Sequence, residues 1–120
     1  MNVRAEICKS PEPVCAESMT TPLTEQSRFK VRHVVLRPGG RIGPVAHFHK
    51  AKHIVVVNGC AALLQGSARS VLFEAQAADI AIGAEHVIEN LGRVDLHMIE
   101  VQTGAYLGED DIVTRVGASA

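Results

Sequence analysis

The chain has 120 residues, 47% of them hydrophobic, with twelve Lys and Arg against thirteen Asp and Glu for a formal charge of −1. That is enough apolar material for one buried core and one domain, which excludes general disorder. The balanced charge and an aromatic content of 3% also exclude a basic nucleic-acid footprint, base-stacking platforms and a polybasic membrane surface. Any ligand must therefore be held mainly by polar and charged groups.

No apolar run approaches the roughly 18 residues needed to span a bilayer, and the N-terminus shows no charged-then-apolar signal. The three cysteines, Cys8, Cys15 and Cys60, are scattered and form no CxxC. The expectation is a cytoplasmic protein with reduced thiols, with Cys60 as a small core residue.

In chain order, residues 1–26 are rich in Pro, Ser, Thr and Glu and read as a polar leader that holds at most a short edge strand. From Phe29 the texture changes to short β-branched runs separated by Gly-rich turns. Strands are expected over Phe29–Arg37, Val45–His49, His53–Asn58, Ala61–Gln65, Ser70–Glu74, Asp79–Ile82, Val87–Glu89 and Val94–Gln102. Pro38-Gly39-Gly40, Asn58-Gly59, Gln65-Gly66-Ser67 and Gly83-Ala84-Glu85 are among the separators. Many short strands at this spacing point to an all-β antiparallel sandwich or barrel over residues 27–115, with 116–120 as a frayed tail. The acidic run Glu109-Asp110-Asp111 lies past the last expected strand and reads as a helix N-terminus, where carboxylates offset the helix dipole.

Histidines carry the chemical signal. His47 and His49 are two apart on an expected strand and so share a face, and His86 follows a Gly turn at the start of a later strand. Two such histidines and a third on a partner strand can converge on one interior point, as a three-imidazole metal site requires. His53 is a fourth candidate, provided the strand bulges near Lys50–Lys52. An all-imidazole set favours Zn, Ni, Fe or Cu over Mg or Mn, and across both readings of the site the expected cofactor is a divalent transition metal: Zn, or Ni, Fe or Mn.

Residues 81–90, with Gly83, His86 and Asn90, resemble the second cupin motif PxGxxHxxxN, Ala81 standing in the proline's place. The stretches Phe29–Arg41 and Ala46–Ala61 resemble the first motif. More narrowly, Ile99-Glu-Val-Gln-Thr-Gly-Ala-Tyr-Leu-Gly-Glu-Asp-Asp-Ile112 is similar to the C-terminal signature of type II mannose-6-phosphate isomerases. That signature also marks the isomerase domain of bifunctional enzymes with mannose-1-phosphate guanylyltransferase activity. The resemblance implies an all-β cupin-type double-stranded β-helix, or jelly-roll barrel, with about four strands in each of two sheets. It also implies a homodimer and an aldose–ketose isomerase that uses a divalent metal and a base.

The chain departs from that family at the first motif. Where the family reads Gln-x-His-His-His-Arg-Ala-Glu-His-Trp, this sequence has Val45, Phe48, Lys52 and Ile54 for the Gln, the middle His, the Glu and the Trp. In this register the ligand positions are 45, 47, 52 and 86, and two of them hold an aliphatic group and an ammonium. In the alternative register the ligands are His47, His49 and His86, with His53 as a fourth. Lys52 then has two readings: a replacement for the metal's charge that binds an anionic ligand, or a solvated lysine, as is expected more strongly of Lys50.

Glu100 is the candidate base if it faces inward, although Leu96, Met98, Ile99 and Val101 break the alternation there. Arg41, Tyr106 and Arg115 are candidates for substrate binding beside Lys52. The expected ligand is a small anionic or sugar-like molecule. The rival reading is a cupin that binds such a ligand without catalysis.

Overall fold

The structure is a computed structural model that describes residues 18–108 and the two-residue strand at 113–114. It holds two five-stranded antiparallel sheets and no helix among the described residues. In chain order the strands are β1 (Ser18–Glu25), β2 (Phe29–Leu36), β3 (Arg41–Ala46), β4 (Lys50–Asn58), β5 (Ala61–Gln65), β6 (Ala68–Leu72), β7 (Ala77–Ile80), β8 (His86–Glu89), β9 (Leu96–Gly104) and β10 (Val113–Thr114). One sheet runs β1-β2-β9-β4-β7 and the other β10-β3-β8-β5-β6. This is the cupin jelly roll that the strand spacing and motifs led us to expect. Its fifth strands, β1 and β10, are both edge strands. β1 pairs with β2 along its length, so the leader's end is built into the sheet.

Alternation of side chains places the core. Val34 and Leu36 of β2, Ile54 and Val56 of β4, and Leu96 and Met98 of β9 face inward from the first sheet. They meet Ala61 and Leu63 of β5, Leu72 of β6 and Ile88 of β8. The outer face of the first sheet is also largely apolar, with Val31, Val55, Ile99 and Val101 half-buried. His33 and His97 share a 3.0 Å hydrogen bond on that face.

One turn and one bulge are set by close backbone approach. Gly59 has φ +94°, and a Cβ there would lie 3.1 Å from the Asp95 carbonyl oxygen. This is the residue that lets β4 turn into β5. Gly43, at φ +99°, lies against the His86 carbonyl, where β3 bulges over β8 between Ile42 and Val45.

Several expected boundaries move. The strand expected over Val45–His49 is instead β3, which ends at Ala46, and His47-Phe48-His49 bends into β4. The Gly83 N–H holds that bend through a hydrogen bond to the His47 carbonyl oxygen. The polar-patterned strands expected at Ser70–Glu74 and Asp79–Ile82 are Ala68–Leu72 and Ala77–Ile80. Glu109–Asp111 and Arg115 lie outside the described residues, as do Cys8 and Cys15. The segment after the acidic run does not begin a helix: Val113 and Thr114 pair with Ala46 and Val45 as strand β10. Among the described residues no helix is long and apolar enough to cross a membrane.

Asn90 ties the end of β8 to two other segments. Its Nδ2 donates to the carbonyl oxygens of Leu36 and Val94, both at 2.8 Å, and its Oδ1 accepts from the Gly92 N–H at 2.9 Å. Asn90→Ala would leave the buried Leu36 carbonyl oxygen without this donor and remove both partly buried ties to Gly92 and Val94, and is expected to destabilise the fold by about 3 kcal/mol, read from urea unfolding midpoints.

Candidate functional site

The site follows from three strands of the first sheet and one of the second. β9 lies between β2 and β4, and towards one end of these strands the inward positions change from aliphatic to charged or polar groups. Arg32 alternates with Val34 and Leu36, Lys52 with Ile54 and Val56, and Glu100 with Leu96 and Met98. The Glu100 carboxylate lies between the two cations. Its Oε1 accepts from Arg32 Nε at 2.8 Å, and its Oε2 lies 3.0 Å from Lys52 Nζ. Gln102 Nε2 adds a 2.7 Å hydrogen bond to Oε1. All four side chains are buried, with Glu100 only 5% exposed.

His86 enters from β8 and is 1% exposed. Its Nδ1–H donates to the Ala84 carbonyl oxygen at 3.2 Å, which leaves the neutral ring's Nε2 as a bare acceptor. That Nε2 is buried without a hydrogen-bond partner, as is Gln102 Oε1. The buried His47 ring lies 5.9 Å from the His86 ring, centre to centre, and tilts 36° to it. Arg32, Lys52, His86 and Glu100 line one cavity of about 10 Å³, floored by Val34, Ile54, Ile88 and Met98. That volume holds roughly one water molecule.

The electrostatics of the cluster have a definite sign. Burial pushes the Glu100 carboxyl up, but Lys52 and then Arg32 more than offset it and hold the group well below the usual carboxylate range. Burial, and next the Lys52 ammonium, push the His86 imidazole down to about 4. At neutral pH the small cavity is thus lined by two cations, one carboxylate and one neutral imidazole.

The candidate residues separate into two groups. His47, Lys52, His86 and Glu100 are buried, and the last three share the cavity. His49 is exposed and sits edge-on to Tyr106, with ring centres 5.9 Å apart; the shared face expected of it and His47 is lost because neither lies on a strand. His53 points out of β4 and hydrogen-bonds Asp79 of β7, because no bulge at Lys50–Lys52 turns it inward. Arg41 is exposed at the start of β3, and neither it nor Tyr106 lines the cavity. Lys50, expected in solvent, is instead 1% exposed, since it takes an inward position two residues before Lys52.

Arg32 and Gln102 were not among the candidates. The available signal was a charged or amide residue at an inward step of an otherwise aliphatic strand.

The residues present do not fit a divalent cation. Val45 offers no donor, an ammonium stands at position 52, and both Glu100 oxygens already face cations. Among the described residues no three His, Cys, Asp or Glu side chains gather into a metal-binding group.

Known proteins resemble this chain over most of its length. A family model described as mannose-6-phosphate isomerase C-terminal matches residues 18–116. A mannose-1-phosphate guanylyltransferase from Klebsiella pneumoniae is 40% identical over 91 residues, 76% of this chain and 19% of that protein. The alginate biosynthesis protein AlgA of Pseudomonas aeruginosa is 42% identical over 85 residues, 71% of this chain and 18% of that protein. The chain thus spans less than a fifth of the length of these relatives. In structure it is similar to a cupin-superfamily sugar phosphate isomerase from Silicibacter pomeroyi, with a TM-score of 0.67 at 19% identity over 72% of this chain and 59% of that one.

The cluster makes stability depend on pH. In the unfolded chain His86 takes up its proton near pH 6.5, but in the folded chain only near pH 4. Between those values the unfolded state binds more protons, so stability falls as the pH drops through that window, by roughly 3 kcal/mol. Glu100 has its folded value below its unfolded 4.5, so its contribution is present above that pH and is lost further into acid. Urea midpoints measured from about pH 7.5 down to about pH 4.5 are expected to fall for the native chain and to flatten for His86→Gln.

Proposed function

The chain belongs to the family of mannose-6-phosphate isomerase C-terminal domains, and from that premise we propose that its barrel binds a sugar phosphate, or a related small anionic sugar, at an altered metal site. One observation carries this reading: Lys52 and His86 line the same small cavity with opposite hydrogen-bonding character. An ammonium has three N–H donors, and Glu100 accounts for one of them. Beside it the bare His86 Nε2 is an acceptor. A donor next to an acceptor matches an anionic or carbonyl oxygen next to a hydroxyl, the pattern that a sugar phosphate offers along its length. Arg32 adds positive charge on the far side of Glu100 and keeps the cluster net positive. Room for about one water means that a single oxygen-bearing group reaches the cluster, with the rest of the ligand outside the cavity.

The same observation favours binding over isomerisation. A base that moves a proton between neighbouring carbons needs a free oxygen or nitrogen near its operating pH. Glu100, the candidate base, is engaged on both oxygens and is held strongly ionised, which makes it a weak base. The parent chemistry would also need a metal, and the donor set does not supply a site for one. The isomerase reading is the alternative, and it predicts turnover.

A homodimer is part of this proposal. Its support is the half-buried row Val31, Val55, Ile99 and Val101 on the outer face of the first sheet, which carries little charge.

Calorimetry with mannose 6-phosphate is expected to show saturable binding, weakened at least about tenfold by Lys52→Met with the fold retained by circular dichroism. Binding that is unchanged in that variant would remove Lys52 from the site. Conversion of mannose 6-phosphate to its ketose phosphate would establish the isomerase reading instead. Light scattering of the eluting protein is expected to give twice the 12.8 kDa chain mass.

A further inference from the structure

The outer face of the first sheet carries a pair of histidines that the barrel's interior does not use. His33 on β2 stands opposite Ile99, and His97 on β9 stands opposite Val35, so the two are diagonal neighbours across antiparallel strands. Both are half-buried and point away from the cavity, since their neighbours Arg32, Val34, Leu96 and Met98 take the inward positions. His33 Nε2 and His97 Nδ1 lie 3.0 Å apart, and the rings stack with centres 5.2 Å apart at 24°. One proton joins these two nitrogens, each neutral ring offering one N–H and one lone pair. The same separation suits a chelate. An ion about 2.0–2.1 Å from each of two imidazole nitrogens sets them about 3 Å apart when its ligands meet at a right angle. Right angles are the preference of tetragonal Ni²⁺ and Cu²⁺, whereas a tetrahedral ion requires a wider spacing.

We propose that His33 and His97 form a bis-imidazole site for a tetragonal divalent transition ion, Ni²⁺ or Cu²⁺, on the outside of the barrel. His33 Nε2 and His97 Nδ1 supply two positions, and water supplies the others. The ion takes the place of the shared proton, which passes through solvent to the far nitrogen of its own ring, so both rings stay neutral. The surroundings favour a cation. Thr21 on β1 and Asn58 on β4 flank the pair in register, with Val35 and Ile99 between them, and none of these brings a positive charge. Inside the barrel, by contrast, Lys52 and Arg32 stand beside Glu100. β2 and β9 each have a strand on both sides, so the two rings are presented by a rigid frame. The site is built from one chain and rests on neither the ligand nor the homodimer proposed above.

The test is calorimetric titration of the full chain with Ni²⁺, beside His33→Gln, His97→Gln, the double variant and His53→Gln, each checked for fold by circular dichroism. The native chain and His53→Gln are expected to bind about one Ni²⁺ per chain with equal affinity. Either single variant at the pair is expected to weaken binding at least about tenfold, and the double variant to lose little more, because removal of one imidazole already ends the chelate. A pair that fills the face with a hydrogen bond and nothing else would lower stability in these variants and leave Ni²⁺ affinity unchanged, which overturns the proposal. A native chain that binds no Ni²⁺ overturns it equally. If the variants fail to fold, paramagnetic broadening in the native chain decides. Ni²⁺ is expected to broaden the ring signals of His33 and His97 before those of His49 and His53, and the reverse order overturns the proposal.

Discussion

The interior of this barrel is organised by one carboxylate held between two cations. Glu100 is buried in a core made mostly of aliphatic side chains, and an isolated charge there would be prohibitively costly. It is sustained because β2, β9 and β4 are adjacent, which puts Arg32 on one side of it and Lys52 on the other. Each member depends on the other two, and removal of one would leave an unbalanced charge in a poorly solvated place. The arrangement adds little to net stability compared with an apolar core. Its value lies in holding an ammonium, a guanidinium and a neutral imidazole in fixed positions around a small cavity.

Set against the family motif Gln-x-His-His-His-Arg-Ala-Glu-His-Trp, the chain keeps the fold and differs in one internal charge. The motif that closes the barrel, from Gly83 to Asn90, keeps its structural duties: the turn, the inward His86, and the Asn90 side chain that ties three segments together. In the first stretch His47 stands where that motif has a histidine and Lys52 where it has a carboxylate. A single residue of opposite sign at the centre of a low-dielectric cavity alters ligand preference more than many substitutions on the rim would. One scaffold can thus change its chemistry while its strand order, turns and aliphatic core remain recognisable.

The fold was legible because its signals are local. Asn58-Gly59 and Gln65-Gly66 mark turns by the backbone they permit, and β-branched runs between them mark strands. The site was less legible because its logic is non-local. Alternation on β9 is masked by apolar residues on both faces, Ile99 and Val101 outward and Leu96 and Met98 inward, so the inward turn of Glu100 did not stand out. Its stability depends on Arg32, which is 68 positions away in sequence. His47 and His49 look alike as an HxH pair, yet the bend after Ala46 sends one inward and the other to the surface. Lys50 reads as a surface residue by type and is buried by position.

The placement of β9 also bears on how the chain acquires its shape. It is the last long strand, and it lies between β2 and β4, whose residues precede it by roughly half the chain. Until residues 96–104 leave the ribosome, β2 and β4 have no common neighbour, and Arg32 and Lys52 have no carboxylate between them. Hairpins such as β5–β6 can form from adjacent sequence, but the first sheet cannot close early. At synthesis rates of about 5–20 residues per second, that interval is several seconds. During it, β2 and β4 each have a pairing partner on one side only, and the edges that β9 will cover are exposed. A topology rich in such distant pairings also folds slowly once complete. The nascent chain therefore waits for its carboxylate, and that interval is when it is most open to capture by chaperones or by another copy of itself.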